Sequence, residues 1–398
     1  MNSEQKKAYK SVLNGNNVFI TGGGGVGKSY TLEHIIQYLD KNKKVHGVTA
    51  TTGTASYLIK GRTINSFLGL KVKLNNIEKA VSSLKRKKRE KYDILCKLEV
   101  LIIDEISMMN DVFFTYISAY LQYLRKSEKP FGGVQLVLCG DLYQLPPCSG
   151  SFFLKSPIWD EINVNICELT LSYRQRLDNE FRRLLEDVRK GIWSKELVEK
   201  LHSTQSNKLS NPTVLFSTNK NVDGINNRKL DNLISKGRKL YEFPPITKKN
   251  SFVDMDNTPV RLCIGAKVML TYNFDTDCGL CNGAKGVVID VNGNEVQVKF
   301  DNGQHVNIGY VNIYDDDDNH IMAIMPLRLA YAITINKCQG MTLDNVVIWM
   351  DDFCCFKEHY GRLYTALSRA RSISNIQVVG RIRKSYLDVH PDILDKII

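Results

Sequence analysis

No run of about eighteen consecutive apolar residues, the length a helix needs to cross a bilayer, occurs in the 398-residue sequence. The opening Met1-Asn-Ser-Glu-Gln-Lys-Lys7 also lacks the apolar core of a signal peptide, so a soluble intracellular protein is expected, whether of nucleus, cytoplasm or host cell. Ten cysteines are scattered; Cys278-x-x-Cys281 and the adjacent Cys354 and Cys355 lack the second paired set of a structural zinc site, which favours free thiols in a reducing compartment. Negative charge is in short supply: 42 Asp plus Glu face 54 Lys plus Arg, a net +12 that favours a polyanionic partner such as nucleic acid. Hydrophobic content of 43% is ordinary for a globular protein and does not indicate disorder, and the length is too great for one core, so two or three domains are expected.

The stretch Phe19-Ile-Thr-Gly-Gly-Gly-Gly-Val-Gly-Lys-Ser29 dominates what is there. Gly22 and Gly27 bracket four residues, Lys28-Ser29 follow, and the apolar Val18-Phe19-Ile20 precedes, which makes this a P-loop. Several negative charges on a phosphate chain require converging backbone N–H groups at a helix N-terminus, which a tight glycine turn supplies. Lys28 is then expected on the β- and γ-phosphates and Ser29 on Mg²⁺. Leu32, Ile35, Ile36 and Leu39 follow at helical spacing, one stripe to bury against a sheet. Ahead of the loop, residues 1–13 read as a helix capped by Ser3 or Asn2.

Downstream, strand Val45-His-Gly-Val-Thr49 leads into Thr51–Ser56 and Gly61–Phe67, where small hydroxyl residues suit phosphate contact and Phe67 is either a stacking face or a buried ring. Leu70 to Leu98 is a polar stretch carrying Lys85-Arg-Lys-Lys-Arg89, either a small basic insertion or a solvated helix face. Val100-Leu-Ile-Ile-Asp-Glu-Ile-Ser-Met108 is an apolar strand ending in two acids: Asp104 suits a metal, and Glu105 suits polarisation of the attacking water. A helix with Phe113, Phe114, Ile117, Leu121 and Leu124 on one side precedes strand 134–139, which ends at Gly140-Asp-Leu-Tyr-Gln144, with Gln144 positioned to sense a γ-phosphate.

Near Glu168 the architecture restarts, and Arg174 precedes a helix bearing Phe181, Leu184, Leu185 and Val188. Residues 260–313 change to short alternating segments, 266–270, 286–290, 295–300 and 305–308, separated by Asn-Gly and Gly-Asn turns, the pattern of a small antiparallel β-barrel. The run Asp315 to Asp318 reads as a solvated turn. Strands 330–334, 346–349 and 376–379 then resume the sheet, with Lys337-Cys-Gln-Gly340 and Tyr364-Thr-Ala-Leu-Ser-Arg369 between them. Arg369 is a second arginine suited to crossing a cleft.

Taken together, these segments resemble the petite-integration-frequency (PIF) family of superfamily 1 DNA helicases, related to RecD and Dda. Phe131-Gly-Gly-Val-Gln-Leu-Val-Leu-Cys-Gly-Asp-Leu-Tyr-Gln-Leu-Pro-Pro147 carries the most specific part of the likeness, and Asp104–Met108, Tyr173-Arg-Gln175, Lys337–Gly340 and Tyr364–Arg369 match in order. The resemblance implies an α/β chain of two RecA-like P-loop domains with parallel sheets, residues 1–168 and then 169–259 with 320–398. A small Src-homology-type β-barrel at 260–319 and a wedge at about 71–98 would be inserted.

It further implies ATP and Mg²⁺ as cofactors, and single-stranded DNA and 5′-tailed duplex as partners of a monomer translocating 5′ to 3′. Gln5 would read adenine. Gly22, Gly23, Gly24, Gly25, Val26, Gly27, Lys28, Ser29, Tyr30 and Gly340 would hold the nucleotide, and Ser29 and Asp104 the metal. Lys28, Glu105, Gln144, Arg174 and Arg369 would act in hydrolysis. Thr52, Gly53, Asn65, Ser66, Phe67, Thr334, Lys337, Gln339 and Thr342 would line the strand. Asn65 and Asn336 stand where the family usually has histidine, which keeps a hydrogen-bonding side chain without a cationic form. A superfamily 1 RNA helicase, or a DNA-stimulated ATPase that never separates strands, would share the same ATP residues.

Overall fold

The first helix, α1 (Ser3–Leu13), starts at Asn2, whose side chain accepts the Gln5 N–H while the Gln5 side chain accepts the Asn2 N–H. That reciprocal capping box satisfies two orphan donors of the first turn. The chain then runs through β1 (Asn17–Gly22), α2 (Lys28–Lys41), β2 (His46–Ala50), α3 (Gly53–Leu58), β3 (Arg62–Thr63), α4 (Ile64–Leu68), α5 (Ile77–Lys87), α6 (Arg89–Cys96), β4 (Val100–Asp104), α7 (Asp111–Arg125), β5 (Gln135–Cys139) and β6 (Val164–Leu169). This is a computed structural model, and it describes residues 1–70, 76–247, 258–272, 274, 278, 280, 282–314, 320–355 and 359–394.

The six strands form one sheet in the order β3-β2-β4-β5-β1-β6, with every paired neighbour parallel. Alternation along the strands explains how both faces are covered. Phe19, Leu101, Ile103, Leu136 and Leu138 bury against α7, whereas Val18, Ile20, Val100, Ile102 and Val137 bury with Leu32, Ile35 and Leu39 of α2. A parallel sheet buried on both faces reads as near-continuous apolar runs, and β4 is buried at every position. The edge strand β6 has no such run, because Asn165, Ile166 and Glu168 are exposed; that is why the sequence did not reveal it. The strands' carboxyl ends bring Gly22, Asp104 and Cys139 to one edge, the usual ligand side of an open α/β sheet.

The polar insertion is helical. Val81 and Leu84 of α5 and Leu95 of α6 join the α7 core, while Lys85 to Arg89 are exposed.

By packing, the chain divides into two compact units, Met1–Ser210 with Cys338–Ile398, and Asn211–Lys337. In the first unit, a helix over Asn179–Arg189 buries Phe181, Leu184, Leu185 and Val188, the expected stripe, and strands Val346–Trp349 and Ile376–Val379 pair in parallel. In the second, strands Thr213–Phe216 and Ala332–Thr334 pair in parallel beside helix Asn219–Ser235. The buried Asn226 of that helix clamps the strand, donating to the Leu329 and Ala332 carbonyls and accepting the Ala332 N–H. The alternating segments are strands, in a five-stranded antiparallel sheet built from Lys267–Leu270, Lys285–Asn292, Glu295–Phe300, His305–Ile308 and Leu327–Leu329. The Asp315 to Asp318 run and Cys281 lie outside the described residues.

Phe114 anchors the α7 face: it is fully buried, with ring centroids 4.9 Å from Phe131 and 5.5 Å from Phe153. Phe114→Ala is expected to lower stability by about 3–5 kcal/mol, read as a lower urea midpoint at unchanged slope. A loss under about 1 kcal/mol would mean that the site collapses around the deletion.

Candidate nucleotide site

The P-loop turns tightly because its glycines let it. Gly25 has φ +86°, and a Cβ there would lie 2.4 Å from the Arg174 Cβ, so the loop and the Arg174 segment approach as only glycine allows. Lys28 Nζ donates to the Gly22 and Gly23 carbonyls at 2.7 and 3.0 Å, which places its charge at the mouth of the loop. Gln5 Nε2 and the Tyr173 ring flank Gly27, and Asn2 Nδ2 donates to the Tyr173 hydroxyl at 3.3 Å. Tyr30 is half-exposed beside them.

Asp104 ends β4 in a buried position. Burial first, and the Glu105 charge second, push its carboxyl up to about 7, against the opposing pull of the Glu105 N–H, Cys139 and Lys28. Glu105 adopts a left-handed backbone, φ 52° and ψ 40°, held by its N–H to Asp104 Oδ1 at 2.8 Å and by Thr51 Oγ1 donating to its carbonyl at 2.8 Å. A non-glycine residue there costs about 1–3 kcal/mol and persists only where surroundings impose it.

The two arginines are close to this edge. Arg174 Nη1 donates to the Ser368 carbonyl at 2.7 Å; burial first, then the Arg369 charge, brings its guanidinium down to about 10. Arg369, 1% exposed, donates to the Thr365 and Met341 carbonyls, to Ser368 Oγ and to Gln144 Oε1. Gln175 joins the same two segments, accepting from Ser172 Oγ and donating to the Ala370 carbonyl. One cavity of about 760 Å³ is lined by Gly24, Gly25, Gly27, Lys28, Ser29, Tyr30, Asp104, Glu105, Gln144, Arg174, Gly340, Thr342 and Arg369, among others. Its size suits a nucleotide. Gln5 is 1% exposed and is not in this lining.

Behind the loop lies a network to which the sequence assigned no role. Tyr364 OH accepts the Gly24 N–H at 2.9 Å and donates to Asp141 Oδ2 at 2.8 Å, and Arg189 Nε meets Asp141 Oδ1 at 3.3 Å while covering the Tyr143 ring at 4.4 Å. Burial opposes ionisation of Asp141, but Arg189, Lys28 and the hydrogen bonds from Tyr364 and Gln144 outweigh it and hold the carboxyl below its ordinary range. A signal was available: Asp141 follows buried β5 much as Asp104 ends buried β4.

A family model for PIF1-like helicases matches residues 1–199. The chain belongs to the PIF1-like helicase family. Models for the UvrD-like helicase C-terminal domain and the Pif1 helicase 2B domain match residues 329–376 and 252–291. The ATP-dependent DNA helicase PIF1 of Xenopus laevis is 34% identical over 95% of this chain, which spans 61% of that relative's length. The Bdellovibrio bacteriovorus Pif1 is 32% identical, covering 99% of this chain and 91% of its own. Among solved structures, Pif1 from Candida albicans matches with a TM-score of 0.86 at 30% identity over 99% of this chain and 97% of its own. A Bacteroides Pif1 in complex with ADP-AlF3 and single-stranded DNA matches at 0.83 and 28%, over 99% and 96%.

The expected strand residues of this PIF1-like chain fall on several elements. Thr52 and Thr63 cap α3 and α4, and Gly53, Asn65 and Ser66 lie at those two short helices. The Phe67 ring packs against Gly47 of β2 and the α7 core rather than standing clear as a stacking face. Thr334 and Lys337 lie in the second compact unit, whereas Gln339 and Thr342 lie in the first. Thr342 is exposed; Gln339 is 1% exposed, with its amide on Glu105 and Ser107. Burial pulls the Lys337 ammonium down, helped by Arg328. Among the described residues no three His, Cys, Asp or Glu side chains gather as a metal cluster, and no helix is long and apolar enough to span a membrane.

Asp141→Asn is expected to cost about 1.5–3 kcal/mol at neutral pH, because it removes the buried partner of Arg189 and leaves that guanidinium to the more exposed Glu168 and Glu186, each at 3.6 Å. A carboxyl held low in the fold contributes stability that is present above the ordinary aspartate pKa and is lost as pH falls through the lowered value. The gap between wild type and variant should therefore narrow in acid, as checked by urea titrations from pH 7 to pH 3. A gap that is constant with pH would refute the pairing.

Proposed function

We propose that this PIF1-like chain is an ATP-driven DNA helicase that moves 5′ to 3′ on single-stranded DNA and separates duplex ahead of it. The observation that carries the reading is the single cavity in which the P-loop, the two acids of the β4 edge, Gln144 and both arginines meet. The printed descriptions of its relatives, ATP-dependent DNA helicases and a Pif1 bound to ADP-AlF3 and single-stranded DNA, support the substrate class.

In this reading the phosphates lie between the amides following Gly22 and the cations Lys28, Arg174 and Arg369. Phosphoryl transfer demands little covalent chemistry of the protein, so positioning and charge stabilisation dominate. Glu105 takes a proton from water as its oxygen bonds to the γ-phosphorus, and the bond to the ADP oxygen breaks. Gln144, hydrogen-bonded to Arg369 at 3.3 Å, ties sensing of the γ-phosphate to that arginine. Ser29 and Asp104 are the residues that would hold Mg²⁺: a carboxyl pushed up to about 7 by burial is one that a cation would relieve. The ion would neutralise phosphate charge.

The domain reading remains two RecA-like lobes, 1–168 and 169–259 with 320–398, a small barrel at 260–319 and a wedge built on α5 and α6. The end of β6 at Leu169 and the antiparallel strands from Lys267 to Ile308 support it. The exposed Lys85 to Arg89 suit phosphate contact at the wedge.

Arg174→Ala and Arg369→Lys are expected to keep single-strand affinity within about 3-fold and to lower DNA-stimulated ATP turnover by roughly 10³-fold or more, since each removes a fork that a point charge does not replace. Turnover near wild type in both would dismiss the arginine assignments. Strand displacement is expected on a duplex with a 5′ tail and not with a 3′ tail. The opposite preference would reverse the direction, and DNA-stimulated hydrolysis without displacement would reduce the protein to a strand-binding ATPase.

A further inference from the structure

Gln339 is built into the hydrolytic centre. Its side chain is 1% exposed, and its Nε2 donates to Glu105 Oε2 at 3.0 Å and to Ser107 Oγ at 3.3 Å, both on the segment that follows β4. Its Oε1 is buried and has no hydrogen-bond partner among the described residues. Leaving a buried carbonyl oxygen unmatched costs about 1–3 kcal/mol, and such an exception asks for an explanation, an unseen water being one. Next along the chain, Gly340 has φ +82°, and a Cβ there would come 3.7 Å from Glu105 Oε1, so this turn lies against the carboxylate.

The main chain of Glu105 is held by Asp104 and Thr51, but neither bond controls where its carboxylate points. A glutamate has three side-chain torsions, and an unrestrained carboxylate would sample positions useless for taking a proton from water. The amide of Gln339 removes that freedom by holding one carboxylate oxygen. The other end of the amide, Oε1, is an acceptor of the kind a water needs for its second hydrogen. Because an ionised carboxylate only accepts, the Nε2 end of the amide must face Glu105, which sets its flip.

We propose that Gln339 is a positioning residue for hydrolysis: it aims Glu105 and offers Oε1 to the attacking water, and it makes no strand contact with its side chain. Gln339 follows Lys337 by two residues and precedes Thr342 by three, so the segment expected to feel the strand is covalently continuous with the group that aims the base. Occupancy of the strand track therefore reaches the water-activating carboxylate through one amide. The inference rests on the reading of Glu105 as the base.

The test uses the full chain, with Gln339→Ala and the similarly long, uncharged Gln339→Met, each in the wild-type and Glu105→Gln backgrounds. With saturating oligothymidylate, Gln339→Ala should lower kcat by about 10- to 100-fold, the scale of a misaimed catalytic group. KM for ATP and the Kd for the oligonucleotide, read by fluorescence anisotropy, should stay within about 3-fold, and the thermal midpoint of Gln339→Met should stay close to wild type. In the Glu105→Gln background, Gln339→Ala should change the residual rate less than about 2-fold, since the two side chains act as one unit. A kcat at wild-type level in both Gln339 variants would overturn the proposal. So would a 10-fold weaker oligonucleotide Kd at unchanged kcat, which would make Gln339 a strand contact. Full turnover in Glu105→Gln with Gln339 intact would instead overturn the base assignment, and the proposal with it; that result is read in a separate protein.

Discussion

An excess of positive charge around one cavity is the constraint on which the site depends. Lys28, Arg174, Arg176, Arg369 and Arg371 line a space whose counter-charges are Asp104, Glu105 and Asp178. Burial and mutual repulsion already bring Arg174 down to about 10, while burial beside Glu105 brings Asp104 up to about 7. Neither sign is content without a ligand. A polyphosphate satisfies the cations, and closure of a low-dielectric site makes each contact stronger than it would be in water.

That arrangement needs rigid supports, and the rest of the first unit supplies them. The parallel sheet delivers Gly22 and Asp104 to one edge, and the buried Asp141 with Arg189 and Tyr364 joins the P-loop to the segment carrying Arg369. Tyr364 occupies the Gly24 amide from behind the loop, and Lys28 rests on loop carbonyls. Phosphate binding therefore exchanges one set of internal partners for another instead of filling an unstructured gap. The capping box at Asn2 and Gln5 is a similar support, presenting Gln5 Nε2 beside Gly27 and Tyr173.

A fold does not by itself fix a function, which lives in the site it carries. The match to Candida albicans Pif1 over 99% of the chain makes the architecture unremarkable. The site's particulars lie in individual side chains. Gln339 turns inward to the acid instead of outward, and Phe67 packs on Gly47 instead of standing clear.

The sequence alone determined the elements whose chemistry is local: the P-loop between an apolar strand and an amphipathic helix, the acids ending a buried run, and the alternating segments from 266 to 308. Each follows from spacing, period or glycine content within a few residues. It missed β6, whose exposed edge positions break up the apolar signal, and it left the Asp141, Tyr364 and Arg189 triad without a role, because those residues are separated by 223 and 48 positions. Only the tertiary structure decided which oxygen Gln339 holds and that Arg174 and Arg369 share a cavity with Lys28. The physical reason is that a hydrogen bond or ion pair depends on ångström distances and orientation, which chain folding sets and residue spacing does not encode.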